Sequence, residues 1–158
     1  MWGGVLTCGV SFGTSALITA ELLESDLKDK KFYLLDAFAG VKSSTVKENP
    51  YNYNTDLNLV KSRWNTEIPA IWICDFLTIN SISNLPQLVF IHLNTGDYLS
   101  ELRTLPILCS KLLKGGYLLM DLYGWQTLEK QLEIDKTLVD LGLVSFQLVT
   151  RQLVIYKP

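Results

Sequence analysis

The 158-residue chain is 48% hydrophobic and 19% charged, which fits a globular domain with one core and excludes a disordered polypeptide. Its net charge of −2, pI of about 5.4 and lack of any Lys/Arg cluster argue against an electrostatic nucleic-acid surface. No apolar run reaches the roughly 18 residues of a membrane span, and the apolar start has its first basic residue only at Lys28, unlike the charged opening of a signal peptide.

Val5–Cys8 is a short apolar run closed by Gly9 and reads as a strand. Gly13–Glu24 carries Ala16, Leu17, Ala20, Leu22 and Leu23 near helical spacing. Lys31–Asp36 predicts a buried strand ending in an acid, and Ser43–Asn54, polar and holding Pro50, predicts a loop. Thr55–Trp64 places Leu57, Val60 and Trp64 at i, i+3 and i+7, a helix with Thr55 as N-cap. Ala70–Cys74 and Leu88–Leu93 read as strands. Asp97–Leu113 reads as a helix capped by Asp97 or Thr95 and closed by Lys114-Gly115-Gly116. Tyr117–Asp121 is a strand, Gln126–Leu141 a helix ended by Gly142, and Val144–Val149 with Leu153–Tyr156 a terminal hairpin.

Continuous apolar strands alternating with helices predict an α/β fold: a doubly wound, mostly parallel sheet covered on both faces, with an antiparallel hairpin at its end. Residues 1–158 read as a single domain. Cys8, Cys74 and Cys109 are odd in number and lack CxxC spacing, so they predict reduced, buried, small apolar residues in a cytoplasmic protein. With one histidine and no close ligand pair, a zinc site is excluded.

Polar groups gather at the predicted strand ends, where open α/β sheets bind ligands. After the first strand, Gly9 and Gly13 frame a turn that lets a ligand approach the backbone and aims helix N–H groups at it; the alternative is an ordinary tight turn. The spacing is not G-x-G-x-x-G, which argues against an NAD enzyme. Asp36 is suited to ribose hydroxyls. Asp75 reads equally as a turn residue or as an adenine contact, with Phe76 or Trp72 packing beside it. His92, Asn94, Asp97 and Asp121 cluster after the fourth and fifth strands as a metal or general-base site. Within it, His92 also reads as a buried, hydrogen-bonded histidine and Asp97 as a helix cap. Tyr123-Gly124-Trp125 follows as the lining of a substrate pocket or the seat of the next helix.

Taken in order, LTCGVSFGTSALITAELL, FYLLDAFAG, VFIHLNTGDYLSELRTLPILCSKLLKGGYLLMDLYGW and VTRQLVIYKP resemble the macrocin O-methyltransferase (TylF-like) family of class I S-adenosylmethionine-dependent methyltransferases. The resemblance implies a seven-stranded Rossmann-like sheet and methyl transfer to a hydroxyl of a small molecule, a sugar or related metabolite. It implies a donor site of Gly9, Gly13, Asp36, Phe38, Asp75 and Phe76. It implies a Mg²⁺ site from Asn94 and Asp121, and Asp121, Asp97 or His92 as the catalytic base. The family's acids differ here: Thr7 stands in the first-strand motif, Asn94-Thr95-Gly96 replaces an Asp-x-Asp, and Asp121-Leu122 replaces a paired Asp-Asp. A catalytically inactive ligand-binding or interaction domain of the same fold is therefore the competing expectation. The expected partner is a small hydroxyl compound, with no nucleic acid and no membrane, and a homo-oligomer is possible.

Overall fold

In the computed structural model, residues 3–27, 30–38 and 55–158 are described. The expected loop Ser43–Asn54 lies outside them. The strands are β1 (Gly4–Cys8), β2 (Phe32–Asp36), β3 (Ala70–Cys74), β4 (Leu88–Leu93), β5 (Leu112–Met120), β6 (Val144–Gln147) and β7 (Leu153–Tyr156). The helices are α1 (Thr14–Leu27), α2 (Leu57–Arg63), α3 (Ile79–Ser83), α4 (Tyr98–Lys111) and α5 (Leu128–Asp140).

One sheet runs in the order β3-β2-β1-β4-β5-β7-β6. Its first five strands are parallel, and β7 enters antiparallel between β5 and β6. The expected α/β sheet with a terminal hairpin is the architecture found. The apolar alternation of each strand splits the core into two layers. Leu6, Ile91, Leu93, Leu118 and Ile155 meet Ile82 of α3, Leu105 and Leu108 of α4, and Ile134 and Leu138 of α5. On the other side Val5, Phe32 and Leu34 meet Ala16 and Ala20 of α1 and Val60 of α2. Each large side chain so buried stabilises the fold by roughly 1.5–3 kcal/mol before entropy is counted. The strand order reverses between β1 and β4, which opens the crevice where such sheets hold ligands.

Several local expectations need correction. Helix α2 is capped by Asp56, whose carboxylate accepts from the Asn58 N–H; the Thr55 hydroxyl is buried and finds no partner among the described residues. Helix α4 stops at Lys111, before the expected glycines. Gly115 and Gly116 lie inside β5, where a Cβ on Gly116 would come within 2.9 Å of the Leu113 and Val89 carbonyl oxygens. Helix α3 was not anticipated. It is a single turn of poor helix formers held by a capping box between Thr78 and Ser81. Cys8 and Cys109 are buried as expected, but Cys74 is exposed because β3 is an edge strand. Among the described residues no helix is long and apolar enough to cross a membrane.

Candidate functional site at the carboxyl edge of the sheet

The turn after β1 is built by contact with its neighbours. Gly9 sits at φ +83, and a Cβ there would collide with the Asn94 carbonyl of the loop after β4. The Asn94 N–H donates to the Cys8 carbonyl at 2.9 Å, so the two central loops are joined. Asp36, at the end of β2, accepts the Ser11 N–H on Oδ2 at 2.7 Å. That bond holds Ser11 at φ +49, a conformation unfavourable for a residue with a Cβ. Asp36 Oδ1 accepts nothing from the described residues, which leaves one carboxylate oxygen for an added hydroxyl. Gly13, at φ +83, then passes the chain into α1.

Beside this turn, the Asp75 N–H donates to the Asp36 carbonyl at 3.1 Å, and Asp75 Oδ1 accepts the Phe76 N–H at 2.7 Å. Phe38 is buried, with its ring centroid 6.1 Å from that of Trp72. The donor-site residues named from the sequence thus converge on the ends of β1, β2 and β3. Their chemistry fits the donor: glycine-shaped backbone, one available Asp36 oxygen, and apolar rings alongside.

The second cluster is a hydrogen-bonded chain. His92 is buried on β4, opposite Thr7 of β1 and Leu119 of β5. Its Nε2 lies 2.9 Å from Asp121 Oδ2, just past the end of β5. The other oxygen, Oδ1, accepts from Gln152 Nε2 at 2.7 Å, and Gln152 Oε1 accepts the Thr150 hydroxyl at 2.8 Å. Burial pushes the Asp121 carboxyl up, but the hydrogen bond and charge of His92 and the Gln152 amide outweigh it and hold the acid below its ordinary range. An ionised carboxylate only accepts, so the His92 proton belongs on Nε2 and the lone pair of a neutral ring on Nδ1. Across the strand pair, the Thr7 hydroxyl is buried with no hydrogen-bond partner among the described residues.

Asp97 is the N-cap of α4. Its Oδ1 accepts from the Leu99 and Ser100 N–H groups, and its Oδ2 accepts the Ser100 hydroxyl at 2.6 Å. The structure does not join it to His92 and Asp121. Sequence reading overlooked Glu101, 3% exposed, which accepts both the N–H and the hydroxyl of Thr95 at 2.8 Å. Burial raises its pKa above the ordinary glutamate value, and the hydrogen bonds from Thr95 and Gly96 oppose this only in part. The available signal was an acid on the same helical stripe as Leu105 and Leu108. Gln152 was overlooked as well, since nothing local in the hairpin announces a partner on β5.

In the loop after Asp121, Tyr123 is buried and donates its hydroxyl to Asp135 at 2.9 Å, with burial and that carboxylate pushing the phenol up to about 12. Trp125 is 68% exposed, with the Arg151 guanidinium 4.6 Å from its ring centroid.

The residues present do not fit Mg²⁺. Asp121 spends both oxygens on His92 and Gln152, and among the described residues no group of three His, Cys, Asp or Glu side chains is placed to hold a metal ion. The expected ligand pair Asn94 and Asp121 therefore forms no cation site.

No protein-family profile and no curated protein matches this chain by sequence. Solved structures do match by fold. The O-methyltransferase NovP superposes with a TM-score of 0.70 at 16% identity, over 99% of this chain and 72% of its own. The calicheamicin methyltransferase CalS11 gives 0.64 at 13%, over 99% and 72%. The plantazolicin methyltransferase BpumL, in complex with SAH, gives 0.60 at 12%, over 99% and 76%. A fibrillarin/Nop5p complex and a putative rRNA methylase match too. At these identities the likeness establishes the fold alone: a seven-stranded, Rossmann-like methyltransferase fold with its antiparallel terminal pair.

Proposed function

We propose that residues 1–158 act as a single cytoplasmic methyltransferase domain of the TylF type, transferring a methyl group from S-adenosylmethionine to a hydroxyl of a small molecule. The observation that carries this reading is the His92–Asp121 pair, 2.9 Å apart, at the ends of strands next to the glycine turn and Asp36. When bound, the donor supplies an electrophilic methyl group. The protein's part is to hold and orient it. Gly9 and Gly13 keep the turn open to its amino-acid portion, Asp36 Oδ1 takes a ribose hydroxyl, and Asp75, Phe76 and Phe38 flank the adenine. Holding donor and acceptor in line removes much of the barrier.

Asp121 fixes the tautomer of His92, and His92 Nδ1 accepts the proton of the acceptor hydroxyl, a general-base contribution of about 10²–10⁴ in rate. Asn94 and Asp97 keep structural duties, tying the central loops and capping α4. The net charge of −2 supports a small molecule over RNA as acceptor, although both kinds of enzyme share the fold.

One observation favours the second reading, an inactive ligand-binding or interaction domain. Asp36, Asp75, Asp97 and Asp121 each accept hydrogen bonds from the protein itself. Calorimetric titration with S-adenosylmethionine and with S-adenosylhomocysteine separates the two. Micromolar binding weakened at least tenfold by Asp36→Ala supports the enzyme. Absence of binding to either compound rejects the enzyme and leaves the non-catalytic domain.

A further inference from the structure

The hairpin joining β6 to β7 carries an arginine where the backbone prefers glycine. The Arg151 N–H donates to the Leu148 carbonyl at 2.9 Å and the Leu148 N–H to the Gln152 carbonyl at 2.8 Å, closing a turn with Arg151 at φ +69. Hairpin turns of this kind usually place glycine or asparagine in that conformation, and an L side chain held there is strained. Such strain is commonly found where a side chain serves a ligand.

Three further observations bear on what Arg151 does. Its guanidinium lies 4.6 Å from the ring centroid of the exposed Trp125. It forms no ion pair with any carboxylate among the described residues. In the described parts of the loops that follow β1 to β5 and join β6 to β7, it is the one lysine or arginine, among Asp75, Asp97 and Asp121. The platform is also fixed in place. The Gly124 N–H donates to the Arg151 carbonyl at 2.9 Å, and a Cβ on Gly124 would come within 2.5 Å of the Arg151 Cβ. The next residue, Gln152, bonds Asp121.

We propose that Arg151, held over the Trp125 ring, binds an oxyanion, a carboxylate or a phosphate, carried by the acceptor whose hydroxyl approaches His92 and Asp121. The guanidinium, its carbon 4.6 Å from the indole centroid, has no carboxylate partner among the described residues, and its planar fork of N–H donors matches a carboxylate or phosphate. Trp125 offers a flat apolar surface beside that fork. The acceptor is then an acidic hydroxyl compound, held by its anion one residue away from the group that anchors Asp121. The word acceptor rests on the methyl-transfer reading; the anion site does not.

The test titrates ¹⁵N-labelled full chain with 4-hydroxybenzoate, phenyl phosphate and inorganic phosphate, with neutral 4-hydroxybenzamide as control. The readout is the Trp125 indole N–H shift, assigned with Trp125→Phe. At least one organic anion is expected to saturate that shift with affinity tenfold or more above the amide, and which one wins tells carboxylate from phosphate. Arg151→Gly should abolish the discrimination while leaving Tm unchanged or raised, because glycine suits the backbone there. Arg151→Lys, which keeps charge without the planar fork, should retain only part of it. Equal binding of anion and amide, no saturable shift with any probe, or an unchanged Arg151→Gly variant would each overturn the proposal. Donor titration is read separately. Its failure with anion binding intact rejects methyl transfer and keeps the site; the reverse rejects only the site.

Discussion

His92 on β4 and Asp121, just past the end of the neighbouring β5, meet through Nε2 and Oδ2 at 2.9 Å with the imidazole buried and the carboxylate partly open. This pairing turns a histidine with two ordinary nitrogens into one with a committed donor and a committed acceptor. Asp121→Asn should therefore lower kcat by about 10²-fold or more. The ¹⁵N spectrum of His92 should report Nε2–H in the wild type and a changed tautomer mixture in the variant. Full turnover in Asp121→Asn would remove both residues from the chemistry.

The same pair sets a pH dependence. Asp121 has its pKa lowered in the folded chain, so its contribution to stability is present above the ordinary carboxylate range and is lost as pH falls through the lowered folded value. Wild type should lose Tm more steeply than Asp121→Asn as the pH drops below about 4. Parallel Tm profiles would contradict the shift.

Glu101 has the opposite sign. Burial raises its folded pKa above the unfolded one, so its stabilising effect is present below the unfolded value and disappears as pH rises through the folded value. Glu101→Gln, which keeps one acceptor for Thr95, should gain Tm relative to wild type at pH 8 and lose that advantage at pH 4. A constant difference across that range would show that the carboxyl does not titrate between the two states.

Gly9 and Gly142 both have positive φ, but only Gly9 is crowded, with the Asn94 backbone against it, whereas nothing lies within 4 Å of a Cβ at Gly142. Gly142→Ala should cost about 1–2 kcal/mol from conformation alone. Gly9→Ala should cost more and should also weaken donor binding, as chemical denaturation and calorimetry would show.

The cysteines give a quick check of packing. Cys74 is exposed, while burial raises the Cys8 thiol strongly and pushes Cys109 up to about 12. One thiol should react rapidly with Ellman's reagent in the native chain, and the other two only on unfolding.

Strands β1 to β4 and the Tyr117–Met120 part of β5 were legible because each is a largely apolar run, the pattern that burial on both faces requires. Helix α3 was not, since Thr78, Asn80, Ser81 and Ser83 have no helical preference and the turn exists through its capping box. The glycines at 115 and 116 misled because a glycine pair after a helix reads as a stop, whereas here both lie in β5 and Gly116 admits the Val89 and Leu113 carbonyls. At the site, His92 and Asp121 could be named from strand-end position. Their partner Gln152 could not, because only the insertion of β7 beside β5 brings it within reach.

That insertion has a consequence for the order of events during synthesis. Strand β6 pairs with β7 and with no other strand among the described residues, and it leaves Val144 and Phe146 exposed. Until Leu153–Tyr156 has cleared the ribosome, β6 is a bare ribbon edge with apolar side chains, and β5 is an open template for any passing strand. The folding domain is thus most adhesive just before β7 docks. The step that pairs the open side of β5 also delivers Gln152 to Asp121, so maturation of the site and covering of β5 are one event.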